Sequence, residues 1–205
     1  MNVSYPIAEK LVARIQARRG KPASIVDLLD VGSRPAIKQA LSRLAKDGTI
    51  QRVGRGIYAW PRFSILFQEP VPPSIDALAK AWARSNSLRI IPSGAFAANL
   101  LGISTQVPSK YVYYTNGRTQ RVRLGGTSVQ FLNRGPKTMD IKGELAAHVF
   151  QALRHLGRNG ATPEVIARVR RLIRPRDRVD VQRSMHLAPV WMKPVLSLIC
   201  REDVN

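Results

Sequence analysis

Ile37, Ala40, Leu41 and Leu44 recur at the i, i+3, i+4, i+7 spacing of a buried helical face. Lys38, Gln39, Ser42 and Arg43 fill the positions between them, and Lys46 follows on the same polar arc. The pattern predicts an amphipathic helix beginning at Ser33, whose hydroxyl can accept from first-turn amides. Pro35 is tolerated there because those N–H groups lack intrahelical partners. Gly48 supplies the left-handed residue that ends such a helix. Two short runs, 50–53 and 57–60, flank Gly54-Arg55-Gly56 and predict a tight hairpin. Upstream, Ile7, Leu11, Val12 and Ile15 predict a helix over 6–19, with Lys10, Arg14 and Arg18 outside and Gly20 ending it. Ser24 caps a short second helix over 25–29, with Ile25, Leu28 and Leu29 inward, and Asp30-Val31-Gly32 turns the chain into the Ser33 helix.

Beyond Trp60-Pro61, residues 63–73 carry Pro70, Pro72 and Pro73 and no clear period, which predicts a linker. Its Ile65, Leu66 and Phe67 are too apolar for a free tether and predict that part of it packs on a domain. Ser74 caps a helix over 75–84, and 88–91 reads as a strand. Ser93 or Gly94 opens a helix through Leu101 whose Ala95, Ala97 and Ala98 permit close packing, and Gly102 stops it. Strands over 110–115, 120–124 and 127–132, joined at Asn116-Gly117 and Gly125-Gly126, predict a meander. A long helix over 140–156 follows. Thr162-Pro163-Glu164 opens another through Leu172, a further one lies near 177–187, and a last one runs from Pro189 to near Cys200. The fold class expected is α+β: a winged helix-turn-helix over 1–62, a linker over 63–73, and over 74–205 a mixed domain with a small antiparallel sheet and a helical C-terminus.

With 205 residues, 44% of them hydrophobic, the chain can bury a substantial core. Its 33 Lys+Arg stand against 13 Asp+Glu, a net charge of +20 spread over both halves, which suits a polyanion partner. The one cysteine, Cys200, excludes an internal disulfide and fits a reducing cytosol. No apolar run approaches the roughly 18 residues of a membrane span, and no apolar leader opens the chain. A cytoplasmic protein without a membrane partner is the expectation.

Charge redefines the Ser33 helix. A polar helix face is ordinarily just solvated, but one followed by a hairpin tipped with arginine is the outline of a DNA reader with its wing. The expected DNA-binding residues are Ser33, Arg34, Lys38, Gln39, Ser42 and Arg43 on the helix and Arg52 and Arg55 on the hairpin. Gln39 and Arg43 suit base edges, an amide matching adenine and a guanidinium matching guanine. Arg55, between two glycines, suits phosphates or a narrow minor groove. A second basic run, Arg168, Arg170, Arg171, Arg174, Arg176 and Arg178, cannot share one helical face and must span a helix end and a loop. Three readings of it stay open: a second nucleic-acid surface, a dock for an acidic partner, or a solvated face.

Catalytic constellations are sparse. Ser93-Gly94 resembles the glycine-serine entry of nucleotidyltransferases, but no Asp-x-Asp or Glu-x-Glu follows to hold two metal ions. Asp140 and Glu144 stand one helical turn apart, the spacing of a solvated helix start. His148 and His155 are a heptad apart, too far for one metal, and His186 is isolated. No catalytic residue, metal site or cofactor is expected.

The run D-L-L-D-V-G-S-R-P-A-I-K-Q-A-L-S-R-L-A-K-D-G-T-I-Q-R-V-G-R-G-I-Y-A-W-P resembles the N-terminal domain of AbiEi-type antitoxins of bacterial type IV toxin–antitoxin systems, which act in abortive phage infection. The similarity continues in A-L-A-K-A-W-A-R, in I-P-S-G-A-F-A-A-N-L-L-G-I-S-T-Q-V-P and in A-P-V-W-M-K-P-V-L, covering most of the chain. The resemblance implies a DNA-binding N-terminal domain that represses its own operon and a C-terminal antitoxin domain. The partner it implies is a separate nucleotidyltransferase-like toxin. It places Ser33, Arg34, Gln39 and Arg43 on the reader helix and Arg52 and Arg55 on the wing, and carries over no toxin-neutralising residue. The expected function is that of a sequence-specific repressor, bound as monomer or homodimer to an inverted-repeat operator in double-stranded DNA, that doubles as antitoxin. The alternatives are a regulator without a toxin, and a nucleic-acid-modifying enzyme tethered by its winged helix.

Overall fold

A computed structural model describes residues 5–64, 68–106 and 108–201. The architecture is α+β, helices combined with small antiparallel sheets. Contacts divide the chain into one unit of Met1–Leu88 with Val122–Val129 and another of Arg89–Arg121 with Gln130–Asn205.

In the first unit, α1 (Tyr5–Ala17) packs on α2 (Arg34–Lys46) around Leu11, Ile15, Ile37 and Leu41, all fully buried. The four periodic positions of α2 are the ones it buries. Ser33 precedes α2 in extended backbone, yet its hydroxyl makes no capping bond; the Ile37 amide donates to the Ser33 carbonyl at 2.9 Å instead. At the far end Gly48, at φ +80°, lets the Ile50 amide donate to the Leu44 carbonyl at 3.1 Å. The short second helix is a 3₁₀ turn over Ile25–Leu28, preceded by β1 (Ala23–Ser24). Ser24 reverses its expected role: its amide and hydroxyl both donate to the Asp27 carboxylate, at 2.8 and 3.0 Å. Because the turn stops at Leu28, Leu29 is 44% exposed rather than inward.

β2 (Gln51–Gly54) and β3 (Ile57–Ala59) form the hairpin, and the sheet order is β1-β3-β2, antiparallel throughout. Ile57, Tyr58 and Ala59 are all buried, as a central strand requires. The stretch expected as a linker holds a two-stranded ladder, β4 (Phe63–Ser64) with β5 (Glu69–Pro70), and the Val71 amide donates to Arg62 at 2.8 Å. Proline is compatible with such an edge strand. Residues 65–67, with the apolar side chains expected to pack, lie outside the described residues.

Ser74 caps α3 (Ile75–Ser85), accepting from the Ala77 amide at 3.3 Å. This helix packs on β1, the 3₁₀ turn and β3. Arg84 donates to both Asp27 oxygens, at 2.8 and 3.0 Å, and to the Pro22 carbonyl at 3.1 Å. The contacts therefore divide after Leu88 rather than in the proline-rich stretch, and α3, expected with the following domain, joins the first unit.

The second sheet comprises β6 (Ile90–Pro92), β7 (Tyr111–Thr115), β8 (Gln120–Leu124) and β9 (Thr127–Asn133), in the order β6-β7-β9-β8. The expected meander is thus incorrect. Asn116-Gly117 does not join neighbouring strands, because β9 takes the edge of β7 and leaves β8 one strand further out. A two-residue turn spans only one strand spacing of about 4.8 Å. The Arg134 amide donating to Thr115 at 3.0 Å fixes that insertion.

Within the second unit, α4 (Gly94–Leu100) lies against the long helix α6 (Glu144–Gly160). Ala97, Ala98, Ala146 and Ala147 are buried there and allow close approach, while Ala95 is exposed and takes no part. Phe96 meets Tyr111 and Tyr113 edge-on at 5.2 and 5.5 Å. The expected helix over 140–156 is two elements, α5 (Pro136–Met139) and α6, because Gly143 stands at φ +73° between them. α7 (Pro163–Leu172) is capped by Thr162, α8 (Pro175–Ser184) follows, and α9 (Met192–Cys200) closes the described chain. Among the described residues no helix is long and apolar enough to cross a membrane.

Asp27 generates a pH prediction. Burial pushes its carboxyl up, but bonds from Arg84 and Ser24 outweigh that and hold it below the ordinary aspartate range. A depressed folded pKa contributes stability above the unfolded value of about 3.9 that is lost as pH falls through the folded one. Asp27→Asn should therefore cost about 1.5–3 kcal/mol at neutral pH, and the variant should lose less stability on acidification than the parent. Urea unfolding midpoints at several pH values measure both effects.

Candidate nucleic-acid interface

Burial of Ile37, Ala40, Leu41 and Leu44 fixes the rotation of α2 about its axis, so the opposite side faces solvent. Arg34, Lys38, Gln39, Ser42 and Arg43 are all exposed there, with Ser33 at the tip. Gln39 and Arg43, four residues apart, stand on the same side one turn from each other. Arg34, Lys38 and Arg43 have no acidic partner among the described residues. Asp47, the residue that ends α2, is already engaged: it accepts from the Thr49 amide at 3.0 Å and hydroxyl at 2.6 Å. Those two bonds hold its carboxyl below the ordinary range.

The hairpin presents its own cations. Gly54 pairs with Ile57, so the turn proper is Arg55-Gly56, with Gly56 at φ +70°. Arg52 stands opposite Tyr58, and both Arg52 and Arg55 are exposed. The register slips between Arg52 and Gly54, a bulge that leaves the Val53 carbonyl to accept from the Gly125 amide at 3.3 Å. Gly125 and Gly126 form the tip between β8 and β9, and beside them Arg123 is exposed. Arg52, Val53, Gly54, Arg55, Arg123, Gly125 and Gly126 line a concavity of about 710 Å³. Three guanidinium groups and no carboxylate border it.

Arg123 was not among the expected site residues. Its sequence signal is the alternation Arg121-Val122-Arg123 ahead of a Gly-Gly turn, which puts both cations on one strand face. The α2 residues do not line this concavity, so the exposed helix face and the hairpin groove are two separate basic features of one unit. Some cations elsewhere in the unit are paired: Arg14 with Asp30, Arg18 and Arg84 with Asp27, and Lys80 with Asp76.

In the second unit the arginine run divides among several environments. Arg168, Arg170 and Arg171 lie on α7, Arg174 between the helices, and Arg176 and Arg178 on α8. Arg170 donates to the Arg201 carbonyl at 3.4 Å. Arg174 and Arg176 line a cavity of about 590 Å³ with Glu144, His148, Asp177 and Asp180, so their charge faces acids. Asp140 ends α5 and Glu144 begins α6; the expected one-turn spacing on a common helix is therefore incorrect. His148 is buried and His155 exposed on α6. Among the described residues no group of three or more His, Cys, Asp or Glu could hold a metal ion.

The family model described as "Family of unknown function (DUF6088)" matches residues 7–181. The chain belongs to the DUF6088 family. No curated protein and no solved structure matches it. The match runs from within α1 to within α8, so the DUF6088 region includes α2, the β2–β3 hairpin and the β8–β9 tip.

Gly125 is a position where this DUF6088 groove is sensitive to a small change. It stands at φ +53°, and a Cβ there would fall 2.8 Å from the Leu78 side chain. Gly125→Ala should destabilise the protein by about 1–2 kcal/mol from the left-handed conformation alone. The shift of the urea midpoint measures it; Gly126→Ala, at φ +83° but meeting nothing within 4 Å, should show the left-handed cost alone, so any excess at Gly125 reports the Leu78 contact.

Proposed function

We propose that this DUF6088 protein is a sequence-specific double-stranded DNA-binding repressor whose first unit is a winged helix-turn-helix. The observation that carries the reading is the exposed face of α2, with Gln39 and Arg43 on one side and its cations free of acidic partners. The order α1, β1, 3₁₀ turn, α2, β2, β3 with a β1-β3-β2 sheet supports it, since this arrangement presents one helix and one hairpin together. The second of the three helices is only a 3₁₀ turn, which makes the helix-turn-helix short.

In this reading α2 enters the major groove. Gln39 pairs with an adenine edge and Arg43 with a guanine, while Arg34 and Lys38 meet phosphates at the groove wall. The β2–β3 hairpin is the wing, and its concavity holds the backbone through Arg52, Arg55 and Arg123. Phosphate neutralisation by these groups releases counterions and supplies most of the affinity. A second copy of the chain on an inverted repeat is the natural stoichiometry for such a reader.

The resemblance to AbiEi-type antitoxins supports a second role for the same protein: neutralising a nucleotidyltransferase-like toxin encoded beside it in a bacterial cell. Co-expression with the adjacent gene tests that role. Rescue of growth from a toxic neighbour is the expected result, and a harmless neighbour leaves a repressor alone.

The DNA reading is tested by selecting a preferred duplex from a random pool and titrating it at several salt concentrations. Arg43→Ala should cost about 1–3 kcal/mol on that site and relax preference at one or two base positions. Arg55→Ala and Arg123→Ala should weaken many sequences alike, each lowering the salt slope by about one unit. Absence of any preferred duplex, or an Arg43→Ala variant indistinguishable from the parent, would remove α2 from the role of reader.

A further inference from the structure

Separate from the first unit, Gly94, Tyr114, Arg134, Thr138, Gln151, Arg154 and His155 line a cavity of about 250 Å³ within the second. Its lining is dominated by hydrogen-bond donors, and no carboxylate is among the lining residues. Arg154, half-buried on α6, donates to the Leu187 carbonyl at 3.1 Å and the Lys137 carbonyl at 3.3 Å, and reaches the Thr138 hydroxyl at 3.5 Å. All of these acceptors are neutral. Burial draws its guanidinium below the ordinary arginine range, partly offset by the nearby Tyr114. A desolvated cation without a counter-ion is an expensive arrangement.

Two further observations point to a ligand that supplies negative charge. Gln151 is 3% exposed, and its side-chain amide nitrogen has no hydrogen-bond partner. A buried donor left open costs roughly 1–3 kcal/mol, which an acceptor entering the cavity recovers. Arg134 is held over the Tyr114 ring at 4.9 Å and donates to the Asn133 carbonyl at 3.0 Å. It is thus oriented in advance, at the exposed edge of the same cavity.

The inner wall is rigid. Gly94 sits so close to α6 that a Cβ on it would overlap the His155 Cβ and lie 3.0 Å from the Gln151 carbonyl. The floor of the cavity is therefore set by backbone packing between α4 and α6.

We propose that this cavity is a phosphate site, filled by inorganic phosphate or by the phosphomonoester end of a small metabolite. Arg154 and Arg134 supply forked, charge-assisted donors from two sides, the geometry in which arginine exceeds lysine as a phosphate ligand. The Gln151 amide and the Thr138 hydroxyl complete the shell, and the His155 ring borders it. The volume lies below the 300–1,000 Å³ or so of sites for drug-sized ligands, which leaves room for a phosphate and part of an attached sugar. The site is independent of the DNA reading, since none of its residues lies in the first unit.

Calorimetric titration of the full chain with inorganic phosphate and with ribose 5-phosphate tests the proposal, using sodium chloride at matched ionic strength as control. The His155 ring resonances, assigned with His155→Gln, should move saturably with either probe while those of His186 stay fixed. Equal affinity for the two probes identifies free phosphate as the ligand, and tighter binding of the sugar phosphate identifies a phosphomonoester. Arg134→Gln and Arg154→Gln should each weaken binding about tenfold or more, the loss expected for a charge-assisted bond. Arg134 is exposed, so its variant keeps the test decisive if Arg154→Gln does not fold. Saturable binding that survives Arg134→Gln but disappears in Arg43→Ala or Arg55→Ala would place phosphate on the first unit and overturn the proposal. So would the absence of any response beyond that of chloride.

Discussion

The first unit depends on one carboxylate. Asp27 receives the Ser24 amide and hydroxyl, both arms of Arg84 and, at 3.6 Å, Arg18. It thereby joins the end of α1, the start of the 3₁₀ turn and the end of α3, three places where cations would otherwise repel. Its position is determined by scarcity: with 13 acids against 33 bases, most cations must go without an acidic partner. An acid placed at the convergence of three elements neutralises charge where solvent screens it least. On α2 and the two hairpin tips the arginines keep no acidic partner among the described residues.

Local features were readable because they are encoded over a few residues. The buried stripe of α2 follows from period alone, and Gly54-Arg55-Gly56 specifies a tight turn without reference to anything distant. Tertiary partners were not readable in the same way. The Arg84–Asp27 contact joins residues 57 positions apart, and nothing in the pattern of either segment announces it. That contact is why α3 belongs with the N-terminal elements while the prolines suggested a boundary before it. Asn116-Gly117 illustrates the same limit: the dipeptide encodes a bend but not which strand comes next, and β9 occupies the place that β8 was expected to take.

The candidate DNA surface was legible to the extent that it is continuous in sequence. Ser33 to Arg43 and Arg52 to Arg55 lie on two successive elements, and all eight expected residues are exposed. Arg123 was missed because it reaches the hairpin groove through a turn far along the chain, held by the Gly125–Val53 hydrogen bond. The phosphate cavity was missed for another reason. Arg134, Gln151 and Arg154 carry no motif, and their joint meaning appears only when burial shows which donors are left unsatisfied.

The preference for arginine over lysine ties these features together. A guanidinium has five donors in a fixed fork, so some can be satisfied by neutral carbonyls while the charge remains available. Arg84 takes Pro22, Arg89 takes Ile141, Arg154 takes Leu187 and Arg170 takes Arg201, each anchoring a loop or helix end through a backbone oxygen. Lysine, a strongly hydrated point charge, would bond one such carbonyl less directionally and lose more hydration in doing so. In a chain with few carboxylates, arginine thus serves as a structural donor to the backbone without spending the net charge. The same chemistry leaves the fold with positive charge that its own acids do not cancel, and the phosphate groups that both proposals invoke would match the charge and the fork.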